Sequence, residues 1–173
     1  IARGGRNSFS YDLNSDVVRT VDPLLRVLNK PYDALGNLLT ETDAKGQLAS
    51  YAYDPVNQRT NMVDRTRTNT WRYTYNKRDK LQLTISPLGT TVTNFYDAAN
   101  RLERVSDPLG NTTTNFYDAN GQITAVADAL GRLWQKTHDC LGRAVTESDP
   151  LGNTRQTTYD PIGRVKTVTS PNG

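Results

Sequence analysis

A run of Tyr-Asp pairs recurs through the chain at an almost fixed distance, and no other feature limits the possible folds so tightly. The anchors are Tyr11, Tyr32, Tyr53, Tyr75, Tyr96, Tyr117, His138 and Tyr159, separated by 21 residues except for one step of 22. A period of this size marks a repeat architecture, in which each copy is one small supersecondary unit that buries its apolar surface only by stacking on its neighbours. The 173 residues divide into about eight such units, read as a single run over 1–173, with the first unit and the 53–74 unit degenerate.

Each anchor is followed by a turn signal. Asp97, Asp118, Asp139 and Asp160 lead three residues later to Asn100, Gly121, Gly142 and Gly163. A short acceptor side chain at the start of a turn captures nearby backbone N–H groups, and the fourth residue must tolerate positive φ. A second signal lies ten residues on: Asp107-Pro108 to Gly110, Asp128 to Gly131, Asp149-Pro150 to Gly152, and Ser170 to Gly173, with earlier copies at Asp43 to Gly46 and Ser86 to Gly89. Proline supplies the φ near −65° that the first central residue of a type I turn requires, and glycine then suits a left-handed residue.

Between turns lie stretches of six or seven residues such as RLERVS (101–106) and NTTTNFY (111–117), rich in Thr, Val, Leu and Tyr and without interior proline. That is strand length and strand composition. The expected fold is therefore all-β: tandem 21-residue hairpins forming a long curved antiparallel sheet. Alternation assigns its faces. The set six residues past the anchor (Val17, Leu38, Arg59, Leu81, Leu102, Ile123, Ala144, Val165) is expected to line a packed side. The set one residue earlier (Asp16, Asn37, Gln58, Lys80, Arg101, Gln122, Arg143, Arg164) is expected on a wet side. The extra residue falls within Val56 to Thr70, where a bulge or altered loop is predicted. In Leu24 to Pro31 the glycine is lost, Arg26 is read as its replacement after Leu25, and an irregular apolar patch is expected.

The form YDAANRL (96–102) with DPLGN (107–111), repeated as HDCLGRAV (138–145) with DPLGN (149–153), resembles the RHS/YD repeat, and the likeness extends from Tyr11 to Gly173. Proteins of that family include bacterial polymorphic toxins, cocoon components of insecticidal toxin complexes, wall-associated proteins and animal teneurins. The resemblance implies part of a spiral β-shell, with flanking repeats of the same polypeptide and an enclosed C-terminal toxin domain as partners. It further implies production in the bacterial cytoplasm followed by secretion or delivery to a target cell, where delivery proteins are further partners. The family's autoproteolytic region uses aspartates in sequences like those at Asp107, Asp128 and Asp149. Here Asn111, Arg132 and Asn153 stand where a hydrophobic residue follows the glycine, so these read as ordinary repeat turns.

Other chemistry is weakly represented. A net charge of +3, with basic residues scattered, gives no footprint for nucleic acid, and no segment approaches the roughly 20 apolar residues of a membrane span. Cys140 is the only cysteine, so no internal disulfide forms, and no spacing suits a metal or cofactor. His138, the only histidine, replaces an anchor Tyr and reads as structural, and the His138/Cys140 pair has no third group near it to make a nucleophilic site. No catalytic residue is assigned and the chain is not expected to be an enzyme. Trp71 and Trp134 each precede an anchor by four residues and are expected on one face, as fillers of space or as stacking aromatics. The alternative to a shell wall is thus a surface module that recognises glycan or protein through its sheet, and unpaired sheet edges open a route to homo-oligomers.

Overall fold

The computed structural model describes residues 6–43 and 45–171. It contains sixteen strands: β1 (Ser8–Tyr11), β2 (Val17–Val21), β3 (Val27–Asn29), β4 (Thr40–Thr42), β5 (Leu48–Tyr53), β6 (Arg59–Val63), β7 (Thr70–Tyr75), β8 (Leu81–Ile85), β9 (Thr91–Tyr96), β10 (Leu102–Ser106), β11 (Thr112–Tyr117), β12 (Ile123–Ala127), β13 (Leu133–His138), β14 (Ala144–Ser148), β15 (Thr154–Tyr159) and β16 (Val165–Thr169). Every pair is antiparallel and joins strands consecutive in sequence. The contacts gather into two units, Ile1–Thr91 and Val92–Gly173. In the first, β1 to β3 form a small sheet of their own and β4 to β8 follow one another in a second sheet. In the second unit β9 to β16 lie side by side in chain order.

Both families of turn are built alike. In the Asp107 turn the Asp107 N–H donates to Asn111 O (2.9 Å) and the Gly110 N–H donates to Asp107 O (3.0 Å). The Asp107 carboxylate accepts from the N–H of Leu109 and of Asn111 through Oδ1 and from Asn111 Nδ2 through Oδ2. Asp118, Asp149 and Asp160 repeat the plan, closing on Gln122, Asn153 and Arg164. Five residues thus satisfy most of their own polar groups, and Pro108 and Pro150 occupy a position whose N–H is not needed. Gly110 has φ +84°, the left-handed region where a Cβ is disfavoured. The Ser170 turn predicted from the sequence ends on Gly173, which lies outside the described residues.

Two irregularities expected from the sequence resolve differently. Asp22 to Arg26 makes an ordinary turn, with Asp22 N–H donating to Arg26 O (3.0 Å), and it is Leu25, not Arg26, that takes the glycine place at φ +62°. The backbone there is not irregular, because the Asp22 carboxylate supplies the same bonds as in other copies, while the side chains of Leu24 and Leu25 stand exposed beside each other. The extra residue lengthens the Asp64 turn: Asp64 N–H closes on Asn69 O, one position farther than elsewhere, and Arg67 sits at φ +59°.

A β-bulge occurs in the hairpins that carry an anchor, not in one damaged copy alone. The register skips Val18, Thr60, Gln82, Glu103, Thr124, Val145 and Lys166, each seven residues past its anchor. The Asp-Pro hairpins pair without a skip, as in Ser106↔Thr112, Val105↔Thr113 and Arg104↔Thr114. A bulge shifts the following side chains by one place, so simple alternation fails across it. The expected faces do not separate in burial. Ile123 and Val165 are exposed, the other apolar members are half-buried, and only Ala49 and Ala125 are fully buried among the described residues. The set assigned to a wet side is mostly half-buried, Arg101 and Arg143 included.

Candidate functional site

The anchors occupy equivalent places, and the structure shows what they do there. The hydroxyl of Tyr53 donates to Leu38 O (3.1 Å), Tyr75 to Arg59 O (2.9 Å), Tyr117 to Leu102 O (2.8 Å) and Tyr159 to Ala144 O (2.8 Å). The acceptor is always the residue six past the preceding anchor, beside the bulge, where the ladder is interrupted. Each ring therefore spans the open end of the hairpin that it closes, turning at Asp43, Asp64, Asp107 or Asp149, and satisfies a carbonyl in the repeat before it. Tyr11 is largely exposed, and Tyr32 makes a single bridge to Leu38. Tyr96 ends β9 in the same position.

A second contact works in the same direction. Arg101 donates from Nε to Asp97 (2.7 Å) and from Nη1 to Asp118 O (3.1 Å), and its guanidinium lies over the Tyr117 ring at 4.4 Å. Arg143 repeats this with Asp139 (2.7 Å) and the Tyr159 ring at 4.3 Å. A planar cation held by its own turn thus clamps the next anchor. This is why residues expected on the wet side are half-buried. At two places in the first unit this position holds an amide, which does the bridging: Asn37 Nδ2 to Asn57 Oδ1 (2.9 Å) and Gln58 Nε2 to Asp79 Oδ1 (2.9 Å). Arg59, the charged member of the apolar set, is held near the rings of Tyr51 (5.9 Å) and Tyr73 (5.0 Å).

His138 holds an anchor place with neither fastening of its neighbours. Gln122 stands where Arg101 and Arg143 stand, and His138 Nδ1 is buried with no hydrogen-bond partner. Cys140 lies exposed in the next turn. No group of three His, Cys, Asp or Glu able to hold a metal ion occurs among the described residues.

The turn carboxylates are electrostatically satisfied. Side-chain bonds from Asn111 and Asn153 hold the carboxyls of Asp107 and Asp149 below their ordinary value, opposed by partial desolvation and reinforced by backbone N–H groups. The guanidinium bond from Arg143 does the same for Asp139, and that from Arg164 for Asp160. A carboxyl kept ionised by its own loop serves as an acceptor rather than as a proton shuttle.

The two tryptophans occupy matching registers, Trp71 opposite Met62 and Trp134 opposite Val126, yet their surroundings differ. Trp71 is half-buried, whereas Trp134 is 41% exposed, with the Arg132 guanidinium 5.7 Å from its ring. Beside it, Glu147 accepts from Lys136 (2.7 Å) and lies 3.9 Å from Arg155. Neither this triad nor the tyrosine acceptors could be read from the sequence: backbone carbonyls carry no letter, and the triad joins three strands.

Comparison with known proteins adds family and fold. The RHS Repeat family matches residues 32–68, 96–133, 117–154 and 138–173, together more than half of the chain. No curated protein matches it in sequence. The chain superposes on the crystal structure of TcdB2-TccC3-Cdc42 with a TM-score of 0.73 at 16% identity, over 97% of this chain and 11% of that one. On the Tc holotoxin pore of Photorhabdus luminescens the TM-score is 0.74 at 16% identity, over 97% of this chain and 11% of that one. For TcdB2-TccC3 without its hypervariable C-terminal region it is 0.73 at 17% identity, over 96% and 11%. The chain thus spans about a tenth of the length of these structures, and at such identity the likeness concerns the fold. The family match and the repeated Tyr-Asp anchors agree, and the chain belongs to the RHS repeat family.

Proposed function

We propose that this chain is a segment of an encapsulating wall within a larger toxin or effector, holding a toxic domain apart until delivery and turning over no substrate. The observation that carries this reading is the backward-reaching anchor: Tyr53, Tyr75, Tyr117 and Tyr159 each fasten one hairpin to the hairpin before it. Such a device builds sheet area from identical parts, which is what an enclosure needs and a reaction centre does not. Satisfied turn carboxylates support the non-catalytic role, and the likeness to TcdB2-TccC3 supports the toxin context. The partners in this reading are flanking repeats, an enclosed toxin domain and other components of a toxin complex. Secretion or delivery into a target cell follows from the same context.

The test is protease protection in the longer polypeptide that this reading requires. A segment following the repeats should resist an added protease while the wall is intact and become sensitive when the wall is unfolded. Cleavage of that segment at the rate of a free unfolded chain would rule out encapsulation.

A further inference from the structure

We propose that the groove beside Trp134 binds a neutral oligosaccharide. The groove measures about 360 Å³ and runs from the Trp134 ring across Glu147 to Arg155, Asn153 and Pro171. That is toward the small end of ligand sites and suits a ligand of a few rings.

The chemistry favours a sugar over other ligands of this size. An exposed indole offers a flat apolar face for the C–H side of a pyranose, while its rim needs acceptors and donors for hydroxyls. Glu147 supplies the acceptor: the Lys136 hydrogen bond, aided by the charges of Lys136 and Arg155, holds its carboxyl ionised below the usual range. Lys136 and Arg155 retain further N–H donors beyond those spent on Glu147. The two cations are matched by two carboxylates that line the groove, Glu147 and Asp149, so it has no net positive charge to favour a uronic or sialic acid. A neutral chain matches it best.

The equivalent place in the first unit provides the internal contrast. Trp71 sits in the same register, but the residues matching Lys136 and Glu147 are Tyr73 and Thr84, which pair across β7 and β8. Trp71 is half-buried against its neighbours and has no charged rim of this kind, so the second unit alone carries the complete set.

This inference is independent of the wall reading, and either can fail alone. The chain has two tryptophans, so Trp71→Phe leaves Trp134 as the sole indole reporter. Its fluorescence is followed during titration with cellohexaose, laminarihexaose and N-acetylchitohexaose. A hyaluronan hexasaccharide provides the anionic comparison, and an unstructured polar peptide the non-sugar one. The expected result is saturable change with at least one neutral oligosaccharide. By calorimetry, Trp134→Ala should weaken that binding at least about tenfold. Glu147→Gln, which keeps shape and packing, should weaken it by about threefold or more. Circular dichroism of both variants should match the parent. Failure of all three neutral sugars to saturate at about 10 mM overturns the proposal. So does binding restricted to hyaluronan or to the peptide, or binding unchanged by both substitutions.

Discussion

Two seams of the second unit follow one plan and are fastened differently. Where Tyr159 closes β15, its hydroxyl reaches Ala144 O and its ring lies under Arg143. Where His138 closes β13, an imidazole replaces the phenol, Gln122 replaces the arginine, and Nδ1 is left buried without a partner. The flanking strand ladders are similar, with three pairs joining β12 to β13 and three joining β14 to β15. Backbone pairing therefore sets the topology, while the anchor contacts set how firmly successive hairpins are held.

The largest effect should come from dismantling the strong seam. Tyr159→Ala removes ring, stack and hydroxyl together and should cost about 2–3 kcal/mol by urea denaturation of the second unit. Tyr159→Phe isolates the hydroxyl and should cost about 1 kcal/mol. Equal losses in the two variants would show that the hydroxyl contributes the whole effect and the ring none.

Repairing the weak seam should produce a smaller change of opposite sign. His138→Tyr gives the place a hydroxyl that reaches the Ile123 carbonyl, and should stabilise by about 1 kcal/mol. Adding Gln122→Arg should contribute about 0.5 kcal/mol more through stacking. Hydrogen exchange at the β12–β13 open end is the direct measurement, and slower exchange in the repaired chain is expected. Unchanged exchange would mean that the buried Nδ1 does not weaken this seam.

Acid should act on both seams through their turns. A carboxyl whose folded pKa is depressed contributes stability that is fully present above its unfolded value, about 3.9, and is lost as pH falls through the lower folded value. Asp139 and Asp160, held low first by side-chain bonds from Arg143 and Arg164, therefore contribute fully above about pH 4 and lose that contribution progressively as the pH falls through their lower folded values. The Asn76 turn makes the same backbone bonds with an amide that does not titrate. Hydrogen exchange followed as the pH is lowered from about 4 should leave the Asn76 turn protected relative to those at Asp139 and Asp160. Equal loss at all three would assign acid sensitivity to global unfolding.

Much of this arrangement was legible in the letters because turns impose conformations that few residues accept. Asp107, Pro108 and Gly110 specify a loop on their own, and repetition fixed where strands begin and end. The bulges were not legible beyond the 56–70 stretch, since the skipped residues Thr124, Val145 and Lys166 share no property. The burial of Arg101 and Arg143 was misread because each guanidinium folds onto its own turn and over the next anchor ring, contacts that alternation along a strand does not carry. Leu25 was misplaced by one residue because a leucine at positive φ contradicts local preference and is imposed by the Asp22 turn around it. Of the two tryptophans, only packing separates the half-buried Trp71 from the exposed Trp134.

The hydroxyls of Tyr53, Tyr75, Tyr117 and Tyr159 each find their acceptor fifteen or sixteen residues upstream. A ribosome therefore delivers each of these four acceptors before the tyrosine that needs it, and a nascent polypeptide can lay down its ribbon in the order of translation without waiting for its far end.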